Sequence, residues 1–263
     1  MLNIGKWKWL TGIAPCLLLF MACPSWAAHP LAADDTGTQG KGRFQLELNV
    51  QIDWEKEDIE GVSVRSTGGQ AAAALSYGIA QNVDLVLSLP YLWGTAEENI
   101  TISHNERGIG DTVLEAKWRF FEKNGFGLAL KPGLSIPTGD PDKGLGTGEL
   151  GGRLFLIGTQ ALEPCALHAN LGYIRNENKN NERRDLWHVS GAVTWDVVKD
   201  LKLVANAGME RNPDNTGASD SAFLIGGVIY SFASNLDIDI GAKYDWNSSE
   251  TEISVMAGVT FRF

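Results

Sequence analysis

The charged residues that could do chemistry in this chain fall on one strand parity. Lys117 and Arg119 are two apart, and Lys131 follows just across the tight segment Glu122-Lys123-Asn124-Gly125. Such a basic patch would steer anionic solutes, aromatic carboxylates for example, along a polar path. Glu115 precedes it, and Glu47, Asp53, Arg153, Lys202, Asp237, Asp239, Lys243, Asp245 and Arg262 add both signs. The same set could instead pair with itself, Arg262 with Asp237 or Asp239 for instance, and simply hold a wall, because buried charges are normally paired.

His168 and His188 share that parity, with Ser190 and Ser135 in range of sequence. A Ser/His pair is the start of hydrolase chemistry. A barrel lipase, however, needs its nucleophile open to lipid, and no nucleophile-elbow motif is present. Asp140-Pro141-Asp142-Lys143-Gly144 opens like a calcium loop but lacks the remaining spacing and the closing Glu. Asp34 and Asp35 with His29 could hold a metal, and turn chemistry accounts for them equally well. Gly144-Leu145-Gly146-Thr147-Gly148 has no lysine in phosphate-loop position. The expectation is a protein without catalytic residues, cofactor or metal.

The elements that must position these groups are extended. Leu236, Ile238, Ile240, Ala242, Tyr244 and Trp246 alternate with Asp237, Asp239, Gly241, Lys243 and Asp245. After Asn247 to Thr251 the alternation resumes through Ile253, Val255, Ala257, Val259, Phe261 and Phe263. A period of two means strand, and runs of about ten residues suit a tilted strand crossing hydrocarbon. The template recurs about twelve times from Phe44 onward, and no helical partner covers the apolar faces. Two runs, Arg153 to Gly158 and Ala222 to Phe232, are apolar on both parities. They give either a partly greasy lumen or a face packed against a loop or the lead-in.

Connections alternate strictly between short and long. Ala80-Gln81-Asn82, Glu122 to Gly125, Leu162-Glu163-Pro164, Lys199-Asp200 and Ala233-Ser234-Asn235 are tight. Residues 55–66, 94–110, 137–149, 174–185, 211–219 and 247–251 are longer and polar. Aromatics collect at both strand ends, Trp54, Tyr91, Trp93, Tyr173, Trp187, Tyr244 and Trp246 at one and Phe44, Trp118, Phe120, Phe126, Trp195, Tyr230, Phe232, Phe261 and Phe263 at the other. Two girdles with short inner turns and longer outer loops describe an outer-membrane barrel. Only a closed sheet satisfies its backbone in lipid. The expected fold is therefore all-β: a transmembrane antiparallel up-and-down barrel of about twelve strands over residues 43–263, with short periplasmic turns and longer extracellular loops.

Ahead of it, residues 1–27 read as a cleaved signal peptide, with Lys6 and Lys8, an apolar core and Ser25-Trp26-Ala27. Residues 28–42 form a polar, Gly-rich lead-in in the periplasm or lumen. Cleavage leaves 20 basic against 32 acidic residues, a net −12, which argues against nucleic-acid binding. It also leaves Cys165 alone, so no internal disulfide is expected.

Several stretches resemble one known family: His29-Pro30-Leu31 with Asp34 to Gly40, Gly108-Ile109-Gly110-Asp111 leading to Lys117, and Pro132-Gly133-Leu134 with Pro137-Thr138-Gly139-Asp140. It is the exported family labelled "putative MetA-pathway of phenol degradation". The resemblance implies an outer-membrane channel near aromatic catabolism, and Phe263 resembles the last-strand signal read by the outer-membrane insertion machinery. The reading is passive transport of small, aromatic or hydrophobic solutes across a Gram-negative outer membrane, in contact with bilayer and lipopolysaccharide. Two other classes stand beside it: a structural or adhesion barrel with a filled interior, and a membrane hydrolase. The lumen residues expected to matter are Glu115, Lys117, Arg119, Lys131, His168, His188, Asp237, Asp239, Lys243 and Arg262.

Overall fold

A computed structural model describes residues 29–59, 62–98, 101–215, 219–246 and 250–263. The proposed signal segment lies outside the described residues. Thirteen strands follow one another: β1 (Phe44–Ile59), β2 (Val62–Ala80), β3 (Val83–Glu98), β4 (Thr101–Ile109), β5 (Thr112–Lys123), β6 (Phe126–Ile136), β7 (Gly151–Leu162), β8 (Cys165–Arg175), β9 (Asp185–Val198), β10 (Leu201–Glu210), β11 (Ser221–Ala233), β12 (Leu236–Trp246) and β13 (Glu250–Arg262). Sequence neighbours pair antiparallel except β4 and β5, which both pair with β3, and β1 pairs with both β2 and β13, so the sheet closes.

The thirteen strands make twelve staves. β4 lies along the outer half of β3, from Tyr91 opposite Ile109 to Glu98 opposite Thr101. β5 lies along its inner half, from Val83 opposite Trp118 to Ser88 opposite Val113. One stave is thus broken at Gly110-Asp111, beside Pro90, which has no amide hydrogen for the ladder. The Gly110 amide donates to the Pro90 carbonyl (2.9 Å), which pins the break in place.

Residues 55–66 and 94–110 were expected as loops, and they are largely ladder. β1 and β2 stay paired out to Ile59 opposite Val62, and β3 and β4 out to Glu98 opposite Thr101. The apolar alternation that marks a strand disappears there while the backbone pairing continues.

Burial is inverted relative to a soluble protein. Among the described residues more polar than apolar side chains are buried, including Glu47, Asp53, Glu115, Lys131, Asn170 and Asp239. Leu48, Val50, Leu85, Leu89, Leu114, Leu171, Leu203, Ile240 and Ile253 are exposed on the outer face. The girdles are aromatic clusters: Phe44 stacks on Tyr77 (4.5 Å) and lies near Phe263 (5.5 Å), and Tyr244 stacks on Trp246 (5.6 Å). A bulge after Arg119 turns both Phe120 and Phe121 outward.

The two strands apolar on both parities place large rings inside. Phe155 sits directly opposite Gly172 and Phe223 directly opposite Gly208. A methyl group on Gly208 would lie 2.4 Å from Phe223 Cζ and 2.7 Å from the Val189 carbonyl oxygen. Gly208→Ala should therefore cost about 1–3 kcal/mol by overpacking, whereas Gly226→Ala, with nothing within 4 Å, should stay within about 0.5 kcal/mol. Urea unfolding from lipid vesicles compares the two, and equal effects would contradict the inward placement of Phe223.

Candidate functional site

Two segments occupy the lumen. The first is the lead-in, residues 29–42, which runs in from the end bearing the short turns. The Gly42 amide donates to the Gly78 carbonyl (2.7 Å), the Gln39 amide to Asp84 (2.9 Å) and the Thr38 hydroxyl to the Gln81 carbonyl (2.9 Å). Deeper in, the Thr36 amide donates to Thr159 Oγ1 (3.0 Å), Asn170 Nδ2 donates to the Asp34 carbonyl (3.1 Å), and the Ala32 and Ala33 amides share Asn206 Oδ1 (2.8 and 3.0 Å).

Apolar packing follows the same path. Leu31 and Ala33 cluster with Ala192 and Val204, and Ala32 packs on Phe223, Ile225 and Met256. Pro30 lies over Gly227 and Gly241, which face each other across β11 and β12; a side chain on either would collide with its ring. His29 Nδ1 meets Asp239 Oδ1. The inward apolar face of β11 therefore serves the lead-in. That of β7 forms its own cluster, Phe155 and Ile157 with Ala129, Ile174 and Leu186.

The second segment is the connection after β6, residues 137–149, tied to the break in the fourth stave. Asp111 accepts from the Gly139 amide (3.0 Å), the Thr147 amide (2.9 Å) and the Thr147 hydroxyl (2.8 Å). Thr138 Oγ1 donates to the Gly110 carbonyl (2.8 Å) and accepts from the Thr112 amide (2.9 Å). Asp140 caps a single 3-10 turn, Pro141–Lys143, through the Asp142 amide, so the calcium-like spacing is turn chemistry. Leu145 is buried, and the Lys179 amide donates to the Thr147 carbonyl (2.9 Å), joining this loop to the next. In that next loop burial raises the Glu182 carboxyl above its ordinary value, against the hydrogen bond Asn176 donates to it.

Beside this knot, Gln70, Leu92, Asp111, Arg153, Ile174 and Glu177 line a cavity of about 30 Å³. That is room for a water or two, well short of the roughly 150 Å³ that takes a benzene ring.

The predicted site residues do not form a single cluster. Lys117, Lys131 and Glu115 come together around Asp34, with Lys117 Nζ donating to Asp34 Oδ1 (2.7 Å) and Lys131 Nζ to Oδ2 (2.9 Å). Lys131 is also 3.5 Å from Glu115. Arg119 stands apart, 3.3 Å from Glu122, so the three-residue basic patch does not assemble as expected. Arg119 keeps the phase of Lys117, opposite Ala129, but lies one step nearer the short turn, where the bulge after it brings Glu122 to its side.

Arg262 bonds Asp237 (2.7 Å), one of the two partners considered, and Asp239 is taken by His29. Lys243 bonds Asp245 (2.9 Å) and sits 5.1 Å from the centre of the Phe223 ring. His29, Asp34 and Asp35 do not converge: among the described residues no three His, Cys, Asp or Glu side chains are grouped as for a metal ion.

The histidines serve different neighbours. His168 contacts Thr159 (3.1 Å) and Thr194 (3.4 Å). His188 Nε2 is 2.8 Å from Ser190 Oγ, and its Nδ1 is 3.3 Å from Glu210. A serine, an imidazole and a carboxylate in that order resemble a nucleophile with its base. Here the ring is 1 % exposed, between Phe155 and Phe223, and offers no open face to a substrate. Asp34 and Asp111, which organise the two lumen segments, were legible only as parts of motifs.

No curated protein matches the sequence. Among solved structures the chain is similar to an outer membrane channel from Pseudomonas putida F1 (TM-score 0.65, 14 % identity, 87 % of this chain and 98 % of that one). It is similar to the translocator domain of the autotransporter NalP from Neisseria meningitidis (TM-score 0.59, 16 % identity, 87 % and 91 %). It also resembles the CymD monoaromatic hydrocarbon channel (TM-score 0.54, 10 % identity, 86 % and 90 %). At these identities the likeness is one of fold, and the fold is the outer-membrane β-barrel. With the model of that family matching residues 32–263, the chain belongs to the family described as "Putative MetA-pathway of phenol degradation".

Proposed function

We propose that this protein is a passive channel of the Gram-negative outer membrane for small, aromatic or hydrophobic solutes. The observation that carries the reading is the mixed lumen wall under the lead-in, which presents the Lys117 and Lys131 ammonium groups to Asp34 and apolar Ala192, Val204 and Ile229 to Leu31 and Ala33. A ring with a polar substituent finds both surfaces there. Family membership and the likeness to two channels, one described for monoaromatic hydrocarbons, support it. In this reading the short turns and the β1 and β13 ends face the periplasm, the long hairpins face outward among lipopolysaccharide, and Phe263 presents the strand that the insertion machinery reads.

A second reading is favoured by the lead-in itself: a barrel filled by residues 29–42 and by the 137–149 loop would be structural and carry nothing. Refolded mature protein in planar bilayers separates the two. Stepwise conductance, larger when residues 28–42 are deleted, is the expected result. A folded barrel that stays silent with and without that segment would favour the filled barrel.

A further inference from the structure

One carboxylate holds the lead-in by charge. Asp34 bridges the ammonium groups of Lys117 and Lys131, which come from adjacent strands β5 and β6. Asp35 is 3.5 Å from Lys117, Glu115 is 3.5 Å from Lys131, and Arg153 is 4.0 Å from Glu115. Of these six groups three are cationic and three anionic. Two of the anions, however, belong to the lead-in. With that segment withdrawn, Lys117, Lys131 and Arg153 would face Glu115, with Asp84 and Glu47 as the more distant carboxylates acting on Lys117.

Lys131 is 1 % exposed and Lys117 is 8 %. That burial is with the lead-in in place; its withdrawal opens both ammonium groups to the lumen and takes away two carboxylates, so the point becomes more positive and attracts an anion. Its surroundings are apolar as well. Ala33, next to Asp34 in the chain, and Leu31 lie on Ala192 and Val204, with Ile229 packed beside them, so a departing lead-in uncovers an apolar surface. A carboxylate carried on a flat apolar body matches both halves of the site.

We propose that Asp34 is a resident stand-in for the solute. An aromatic carboxylate entering the lumen takes its place between Lys117 and Lys131, frees the lead-in and so opens the channel. The proposal rests on the channel reading above and adds to it a substrate class and a gate. It requires the solute to favour the freed state over the locked one, since only differential affinity shifts such an equilibrium.

The test uses the full mature chain in planar bilayers with benzoate and with benzyl alcohol, the same ring without the charge. Benzoate should raise the open probability about tenfold, within the usual range of coupling between sites, and benzyl alcohol should leave it unchanged. Asp34→Asn should be open about tenfold more often without any solute and gain little from benzoate. Equal responses to the two solutes, or an Asp34→Asn protein as closed as the parent, overturn the proposal. A second readout does not depend on conduction. Thr36→Cys, in a Cys165→Ser background, should react with a small thiol reagent about tenfold faster in benzoate, and an unchanged rate overturns the lock. If no variant conducts although all are folded, the channel reading fails, and the labelling rate still decides whether a carboxylate displaces Asp34.

Discussion

Asp111→Ala should release the 137–149 loop while the barrel stays folded. The Asp111 carboxylate accepts three hydrogen bonds from that loop, at 2.8 to 3.0 Å. A bond to a charged acceptor contributes about 1.5–3 kcal/mol, and such terms are not additive within one cluster. A loss of about 3 kcal/mol from loop ordering is expected, which raises the open population of the loop on the order of a hundredfold. The strand ladders owe nothing to these bonds, so global stability should move far less. Hydrogen exchange at the Gly139 and Thr147 amides reads the effect directly, and single-channel recording reads its consequence. Asp111→Asn should fall between, because its amide group turns a donor toward the Thr147 donors. Unchanged protection at Thr147 in the alanine variant would remove the loop's proposed anchor.

The second large effect concerns the outer face. Ile240 is 53 % exposed and sits mid-strand in β12, while its neighbour Asp239 is 4 % exposed and faces the lumen. Ile240→Arg places a charge near the midplane of the hydrocarbon and should cost about 2–4 kcal/mol. Asp239→Asn keeps a polar atom toward His29 and should be mild for the barrel. Equilibrium unfolding from vesicles, followed by tryptophan fluorescence, compares them. Similar losses would mean that the two faces of β12 do not meet lipid and lumen respectively.

The barrel was legible because its membrane part follows one rule. A strand that separates lipid from a polar interior must alternate, so Leu236 to Trp246 and Phe44 to Trp54 announce themselves. The rule stops where lipid stops, which is why the ladders beyond Trp54 and Trp93 were read as loops. It also says nothing about what fills the interior. Lys117 and Lys131 were found by parity, but their partner Asp34 lies in a segment without strand pattern and with no spacing to tie it to them. Arg119 shares their parity, and what separates it is its partner Glu122, brought to the same side by a one-residue bulge that leaves no mark in alternating sequence.

Some signals were present and weak. The glycines opposite Phe155 and Phe223 complement rings on the next strand, and Gly227 and Gly241 form a trough for Pro30. Such pairs become meaningful only once register is known. The motifs Gly110-Asp111 and Pro137-Thr138-Gly139 carried the family resemblance, and they are two halves of one hydrogen-bonded knot. Sequence separation hid that relation.

The meeting of β1 with β13 has a mechanical meaning. Gln45 lies opposite Arg262 and Trp54 opposite Ile253, so this seam joins stretches that no hairpin brings together. The other staves can zip from short turns, whereas this one must wait for a loop-closure cost spanning nearly the whole barrel. It is therefore the last ladder to form during assembly. Under a pulling force applied at β1 or β13 it is also the first to peel, hairpin by hairpin, around the ring.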